Sequence, residues 1–305
     1  MANAKEILNH IRSVEDTRKI TNAMYLISST KLRKAKQDLD RTRPYFNALR
    51  TEIKRAFRTV AHAQSPYLFP EEAVDKLDRG SYACLVITAD KGLAGAYNLN
   101  AIHEAERLYS QHRDTLFFVV GEYGRRYFER KGIPVEQSFL YTAQNPTMQR
   151  AREIQEILLD LYESGRVTKL FVIYTDTKNE LLSTAQSTRL LPFHRSQFEL
   201  KPGEKMVTTP FEFIPSVDLV LSHMVRSYVG GFIYSALVDS FCSEQSARMT
   251  AMRSANDNAE KILADLRLRY NRMRQAQITQ EIIEVSAGTM AQKQKREAIA
   301  RKAEV

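Results

Sequence analysis

The stretch Ile7-Leu8-Asn9-His10-Ile11-Arg12-Ser13-Val14 begins the pattern that decides the fold. From it, positions 7, 11, 14, 18, 21, 25, 28, 32, 35, 39, 42, 46, 49, 53, 56 and 60 alternate steps of four and three without a break. Their occupants include Ile7, Ile11, Val14, Tyr25, Leu32, Ala35, Leu39, Phe46, Leu49, Ile53, Ala56 and Val60. Apolar residues spaced on average 3.5 apart keep one seam of a helix turned toward a partner helix. A second stripe runs Val220, Met224, Tyr234, Val238, Phe241, Met252, Ala255, Ala259, Ile262, Leu266, Met273, Ala276, Ile283. The first segment leads into the middle of the chain and the second leads out of it, so pairing between them predicts a long antiparallel coiled coil. At about 1.5 Å per residue the first spans on the order of 85 Å and the second roughly 120 Å.

Irregularities in the stripes are informative. Pro44 falls inside the first and is expected to kink or break the helix, because it removes a backbone donor and crowds the preceding turn. Gly230 and Gly231 are expected to weaken the second helix near its base. Arg18, Thr21, Ser28, Ser227, Gln245, Arg248 and Arg269 stand where a coiled coil wants aliphatics. Either the register is imprecise at these positions, or some of them serve other subunits.

Between the stripes the period changes. Tyr82-Ala83-Cys84-Leu85-Val86-Ile87-Thr88 is a short apolar run that ends in Ala89-Asp90-Lys91-Gly92, the pattern of a buried strand entering a loop. Helices are predicted at 101–112, 122–131 and 147–164, and further buried strands at 116–120 and 169–175. Alternating strand and helix imply a mostly parallel sheet covered on both faces. The proline-bearing segments 64–80 and 201–215 are the expected joints. The chain is thereby divided into an N-terminal shaft helix (1–63), an α/β domain with its joints (64–215) and a C-terminal shaft helix (216–305).

Composition limits the function classes. With 43% hydrophobic residues, no Trp and no apolar run near eighteen residues, nothing in the sequence reads as a membrane span. No secretory leader is read at Met1 to Lys5. The two cysteines, Cys84 and Cys242, are read as small buried hydrophobes in a reducing compartment, and the six histidines lack ligand spacing. The net charge of +9 is concentrated in Lys31, Arg33, Lys34 and Lys36 and again in Arg267, Arg269, Arg272 and Arg274. Charge runs on helices are usually solvated faces, yet two clusters on one shaft suit an acidic partner, nucleic acid or protein.

A doubly wound domain invites a nucleotide reading, so the loop Gly92-Leu93-Ala94-Gly95-Ala96-Tyr97-Asn98 has to be weighed. It lacks the third glycine of a dinucleotide fingerprint, and no Gly-Lys-Ser/Thr completes a phosphate loop. A tight strand-to-helix turn is the plainer reading. No Ser/His/Asp or Cys/His arrangement stands out, so neither catalytic residues nor a cofactor is expected.

Four runs of residues carry a resemblance. They are Ile11-Arg12-Ser13-Val14 with Thr17-Arg18-Lys19-Ile20-Thr21-Asn22-Ala23-Met24 and Lys31-Leu32-Arg33-Lys34-Ala35; Thr88 to Gly95 with Asn98; Ser243-Glu244-Gln245-Ser246-Ala247-Arg248-Met249 with Asn256-Asp257-Asn258-Ala259; and Arg274-Gln275-Ala276-Gln277-Ile278-Thr279-Gln280-Glu281-Ile282-Ile283-Glu284. Together, and in this order, they resemble the gamma subunit family of F-type ATP synthases over almost the whole chain. The resemblance implies a non-catalytic rotor shaft with a Rossmann-like α/β domain at its base. It implies as partners the alpha and beta subunits of the catalytic ring, the epsilon subunit and the c-ring, one copy per complex. The implied place is the cytoplasmic face of a bacterial cell membrane, held peripherally.

Carried over by residue, Arg274 and Gln275 match the pair that bonds a catch loop of beta, with Thr279 and Glu281 in the same signature. Met24, Lys31 and Arg33 match the region facing an acidic lever loop of beta, and Arg248 matches an arginine on the facing helix. A guanidinium grips a carboxylate in two places, and an amide both donates and accepts. Departures exist: Gly288 is followed by Thr289 and Met290, a basic tail runs on to Val305, and Ala94 stands where many relatives have Cys. Two alternatives remain, a basic coiled-coil nucleic-acid binder and a nucleotide-dependent Rossmann enzyme. The first usually forks parallel helices onto DNA, and the second leaves both long helices idle.

Overall fold

The computed structural model describes residues 4–59, 67–68, 80–140, 143–179, 182–193, 213–214 and 216–303. Its elements run α1 (Ala4–Thr59), β1 (Tyr82–Ile87), α2 (Tyr97–Gln111), β2 (Thr115–Val120), α3 (Glu122–Lys131), β3 (Val135–Phe139), α4 (Met148–Glu163), β4 (Lys169–Asn179), β5 (Leu182–Leu191) and α5 (Val217–Ala303). The expected joints at 64–80 and 201–215 lie almost wholly outside the described residues. The chain gathers into two compact units, Met1–Tyr25 with Met252–Val305, and Leu26–Ala251.

In the larger unit five strands form one sheet in the order β3-β2-β1-β4-β5. β1 runs parallel to both β2 and β4, β2 parallel to β3, and β5 antiparallel to β4. Every residue of β1 is buried, as a central strand covered on both faces requires. Its alternating side chains feed two cores. Ala83, Leu85 and Ile87 join Phe118, Leu170 and Val172 beneath Ile154, Leu158 and Leu159 of α4. Cys84 and Val86 join Phe117, Val119 and Ile173 beneath Ala101, Ile102 and Ala105 of α2 and Phe128 of α3. Burial without a charged partner pushes the Cys84 thiol far above its ordinary range, so it behaves as an inert core hydrophobe.

The α4-side core also takes in Ala35, Leu39, Ile53 and Ala56 of α1 and Leu221, Val225, Val229, Ile233 and Leu237 of α5. In this unit the long helices are therefore a layer of the domain core. Gly230 and Gly231 are buried within α5, where a Cβ would run into Gln155 of α4 and Phe46 of α1 respectively. The bare backbone lets both neighbours approach, which offsets the helix propensity that glycine forfeits. Helix α1 continues through Pro44, so the break expected there is not found. Pro44 is exposed, and a ring facing solvent removes one backbone hydrogen bond without emptying the core.

In the smaller unit Ile7 and Ile11 pack with Leu263 and Leu266, flanked by half-buried Val14, Tyr270 and Met273. Glu15 accepts from Arg267 at 2.7 Å, and Arg18 reaches Glu260 at 3.5 Å. Partners fall in number along α5 as they rise along α1, so the helices are antiparallel here. Exposed ion pairs of this kind contribute about 0–1 kcal/mol each, against about 1.5–3 kcal/mol for each buried aliphatic side chain, so the seam dominates. No helix among the described residues is long and apolar enough to cross a membrane.

Candidate functional site

The carboxyl ends of the parallel strands are where a doubly wound sheet takes its ligands, in the crevice at the strand-order reversal. Here the reversal lies between β1 and β4, and the chain fills the crevice with its own helix. After Ile87 the backbone is tied at every step. Thr88 donates through its amide to the Val120 carbonyl at 2.9 Å and through its hydroxyl to the same oxygen at 2.8 Å. Asn98 accepts from the Ala89 amide at 2.8 Å and donates to the Lys91 carbonyl at 3.4 Å. Asp90 accepts from the Glu122 amide at the start of α3 at 3.1 Å and from Gln144 at 2.8 Å.

Above this loop lies one face of α5, spaced at helical intervals: Ser240, Ser243, Glu244, Ala247, Arg248. Ser240 Oγ accepts from the Thr175 amide at 3.2 Å, and Ser243 donates to the Thr175 carbonyl at 3.2 Å, which fastens α5 to β4. Ala247 packs on Ala89, Ala94 and Tyr97. Arg248 donates to the Gly92 carbonyl, to the Lys91 carbonyl at 3.5 Å and to Glu244 at 2.7 Å. That ion pair is buried, with side chains only 10% and 8% exposed. Burial raises the Glu244 carboxyl above its usual range; the Arg248 hydrogen bond opposes this, Asp90 adds to it, and Lys31 is near enough to lower it. Burial, and then Glu244, likewise pushes up the Tyr97 hydroxyl.

The loop thus turns carbonyl oxygens toward a guanidinium. A phosphate cradle must offer amide donors, so the chemistry here has the opposite sign. No cluster of His, Cys, Asp or Glu among the described residues could hold a metal ion. One residue stands out of the loop: Leu93 is 65% exposed and adopts a left-handed φ of 65°. For a branched side chain that conformation costs about 1–3 kcal/mol and persists only where surrounding bonds dictate it.

The residues singled out in the sequence occupy different settings. Lys31 and Arg33 are exposed on α1, and Met24 is half-buried. Arg274, Gln275, Thr279 and Glu281 are all exposed on α5 beyond Met273. Thr279 returns its hydroxyl to the Gln275 carbonyl at 2.9 Å. Helical spacing sets Arg274, Ile278, Ile282 and Val285 along one face. Its three aliphatic members are exposed large hydrophobics, Val285 at 70%. Arg248 is separated from all of these by burial, its guanidinium taken up within the chain. Sequence reasoning missed the capture of Lys91 and Gly92 by Arg248; the i, i+4 spacing of Glu244 and Arg248 signals their ion pair but not the carbonyls.

A family profile described as ATP synthase matches residues 3–291. An ATP synthase gamma chain from Caldanaerobacter subterraneus subsp. tengcongensis is 42% identical over 292 residues, covering 93% of this chain and 98% of that one. Another, from Acetivibrio thermocellus, is 38% identical over 298 residues and covers 96% and 100%. A chain from the central stalk and c-ring structure of the Tetrahymena thermophila mitochondrial ATP synthase is similar in fold, with a TM-score of 0.55 at 23% identity, covering 77% of this chain and 99% of that one.

Proposed function

Because this chain belongs to the ATP synthase gamma-chain family, we infer that its exposed helix faces are bearings and contacts for the catalytic ring. It is a central-stalk rotor subunit of the F-type enzyme and performs no bond chemistry. The observation that carries the contact reading is the face of α5 after Met273. There Arg274 stands in line with exposed Ile278, Ile282 and Val285, and α5 has no covering helix among the described residues. Apolar surface of this extent on a helix is the mark of a protein interface.

In this reading Arg274 and Gln275, with Thr279 and Glu281 one turn on, bond the catch loop of a beta subunit. Met24, Lys31 and Arg33 face the acidic lever loop of beta. Each rotor angle then stabilises a different conformation at each of the three beta subunits, a population shift driven by torque. The remaining partners are the alpha subunits, epsilon and the c-ring, one rotor per complex. The rotor is held peripherally at the cytoplasmic face of a bacterial cell membrane. The three-part division at 63/64 and 215/216 belongs to the same proposal.

The test is reconstitution. Membranes stripped of the catalytic sector receive alpha, beta, epsilon and this chain, and ATP-driven ion uptake is measured beside the subunit ratio. Coupled uptake with one copy per three beta subunits is the expected result. Uncoupled hydrolysis, or a chain that purifies alone with a bound nucleotide, would revive the enzyme alternative.

A further inference from the structure

We propose that Arg248 is a positioning residue: it holds the loop Asp90–Gly95 against α5, so the α/β domain and α5 turn as one body, and it does not itself touch a beta subunit. This rests on the rotor reading above. The apolar contacts between the α4-side core and α5 are strong but non-directional, and such a surface can slide or rock under a tangential force. A bidentate fork on two backbone carbonyls resists both movements, because its bonds weaken steeply with misalignment.

Three observations support the assignment. First, the fork is sited where leverage is useful. It joins the loop after β1, the central strand of the sheet, to α5 within about two turns of Ser240 and Ser243, which hold β4. Both strands flanking the switch point are therefore stitched to the same helix face. Second, the guanidinium is desolvated: the Arg248 side chain is only 10% exposed, and its Glu244 partner is held in turn by a bond of 3.1 Å from Gln245. A cation buried to this degree and held by two carbonyls and a carboxylate presents little of its guanidinium to an outside loop. Third, Leu93 holds its left-handed φ next to the captured Gly92 carbonyl. Strain of that kind is retained only while something pins the neighbouring peptide.

The experiment uses the reconstituted, membrane-coupled complex. In Arg248→Ala, amide hydrogen exchange over residues 88–98 is expected to rise ~10- to 100-fold, the loss of charge-assisted hydrogen bonds. Ions moved per ATP hydrolysed should fall severalfold. Arg248→Lys, which supplies one donor but no fork, should fall between. The decisive arm adds Ala94→Cys with Ala247→Cys, two positions of the same apolar cluster, one on the loop and one on α5. Closing that cross-link in the Arg248→Ala background should restore the coupling ratio, and opening it with reductant should lose it again. If Arg248→Ala blocks assembly, the closed cross-link should restore assembly as well. A coupling ratio that stays low with the cross-link closed would mean Arg248 acts on beta directly and would overturn the proposal, as would unchanged exchange at 88–98. Failure of the rotor reading looks different, since the unsubstituted chain would then not rebuild coupled transport at all.

Discussion

Replacing Gly121 with Ala should cost this protein a large share of the stability of its α/β domain. Gly121 lies between β2 and α3 with φ 94° and ψ 141°, a region close to glycine-only backbone space. Forcing Ala into it costs about 1–3 kcal/mol. The added Cβ would also press into the Thr88 carbonyl oxygen and lie 2.8 Å from that of Ala89, both backbone atoms that cannot swing aside. Relief requires the end of β1 to move. That strains the Thr88-to-Val120 bond of 2.9 Å, the Tyr123-to-Ala89 bond of 3.1 Å and the Gly124-to-Thr88 bond of 3.1 Å. Losing two or three of them adds about 1–4 kcal/mol. The total is about 2–7 kcal/mol, set against about 5–15 kcal/mol for a whole domain. Gly95 is the control, with a φ of 55° and nothing within 4 Å of its Cβ position, so Gly95→Ala should cost about 1–2 kcal/mol. Each variant is co-produced with the catalytic subunits, and incorporation and thermal inactivation of coupled uptake are followed. Gly121→Ala should lose incorporation at temperatures where Gly95→Ala retains it. Indistinguishable behaviour of the pair would refute the reasoning.

Three further outcomes are expected. Arg274→Ala should lower both hydrolysis and synthesis while leaving the complex assembled, since one charged contact worth about 1.5–3 kcal/mol governs rate more than association; normal turnover with the variant incorporated would remove Arg274 from the contact surface. Truncation after Ala291 should preserve assembly and near-normal coupling in membranes, because the basic tail has few large apolar residues with which to form a bearing; lost coupling in a fully assembled enzyme would say otherwise. Glu122 is held down to about 2, chiefly by its hydrogen bond from Arg125 and then by Arg126. A carboxylate lowered by folding contributes stability above its ordinary value of 4.5, and that contribution is lost as pH falls toward about 2. Acid-unfolding curves of wild type and Glu122→Gln should therefore converge across that window, and curves that stay parallel would show the cluster to be idle.

What the sequence disclosed tracks how many faces of an element are buried. Every described position of the first stripe, from Ile7 to Ala56, is buried or half-buried, because α1 presents one side to its surroundings and the period survives. The second stripe drifts out of phase. Leu221, Val225 and Val229 are buried beside the expected Val220 and Met224, while Ile262 is exposed and Leu263 takes its place. Between Ile233 and Gln245 nearly every residue of α5 is buried, so no single face stands out to set the phase. Of the seven polar stripe positions, Thr21, Ser28, Gln245 and Arg248 are buried and Arg18 half-buried, while Ser227 and Arg269 face solvent. Strands β1, β2 and β4 were legible as apolar runs. β3 and β5 were not, since Glu136 and Gln137 of one, and Thr184, Gln186 and Ser187 of the other, belong to edges with a polar side. The α/β class with a mostly parallel sheet followed from three strands alone. The capture of backbone carbonyls by Arg248 could not follow, because a carbonyl's direction leaves no trace in side-chain chemistry.

The seam of α1 has a consequence for how the chain is made. Ile7 and Ile11 meet Leu263 and Leu266, which are synthesised far later in translation, and Ala35 and Leu39 likewise await residues of α5. At about 5–20 residues per second, a separation of some 250 residues keeps the first seam waiting for roughly ten to fifty seconds. Isolated helices gain most of their stability from a packed face, so α1 spends that interval as a poorly ordered, apolar strand of nascent chain. The strands and helices of the middle close their own contacts meanwhile, and the seam can join only after α5 has emerged. A shaft built from opposite chain ends therefore carries a built-in delay, and chaperone demand during translation should centre on the first sixty or so residues.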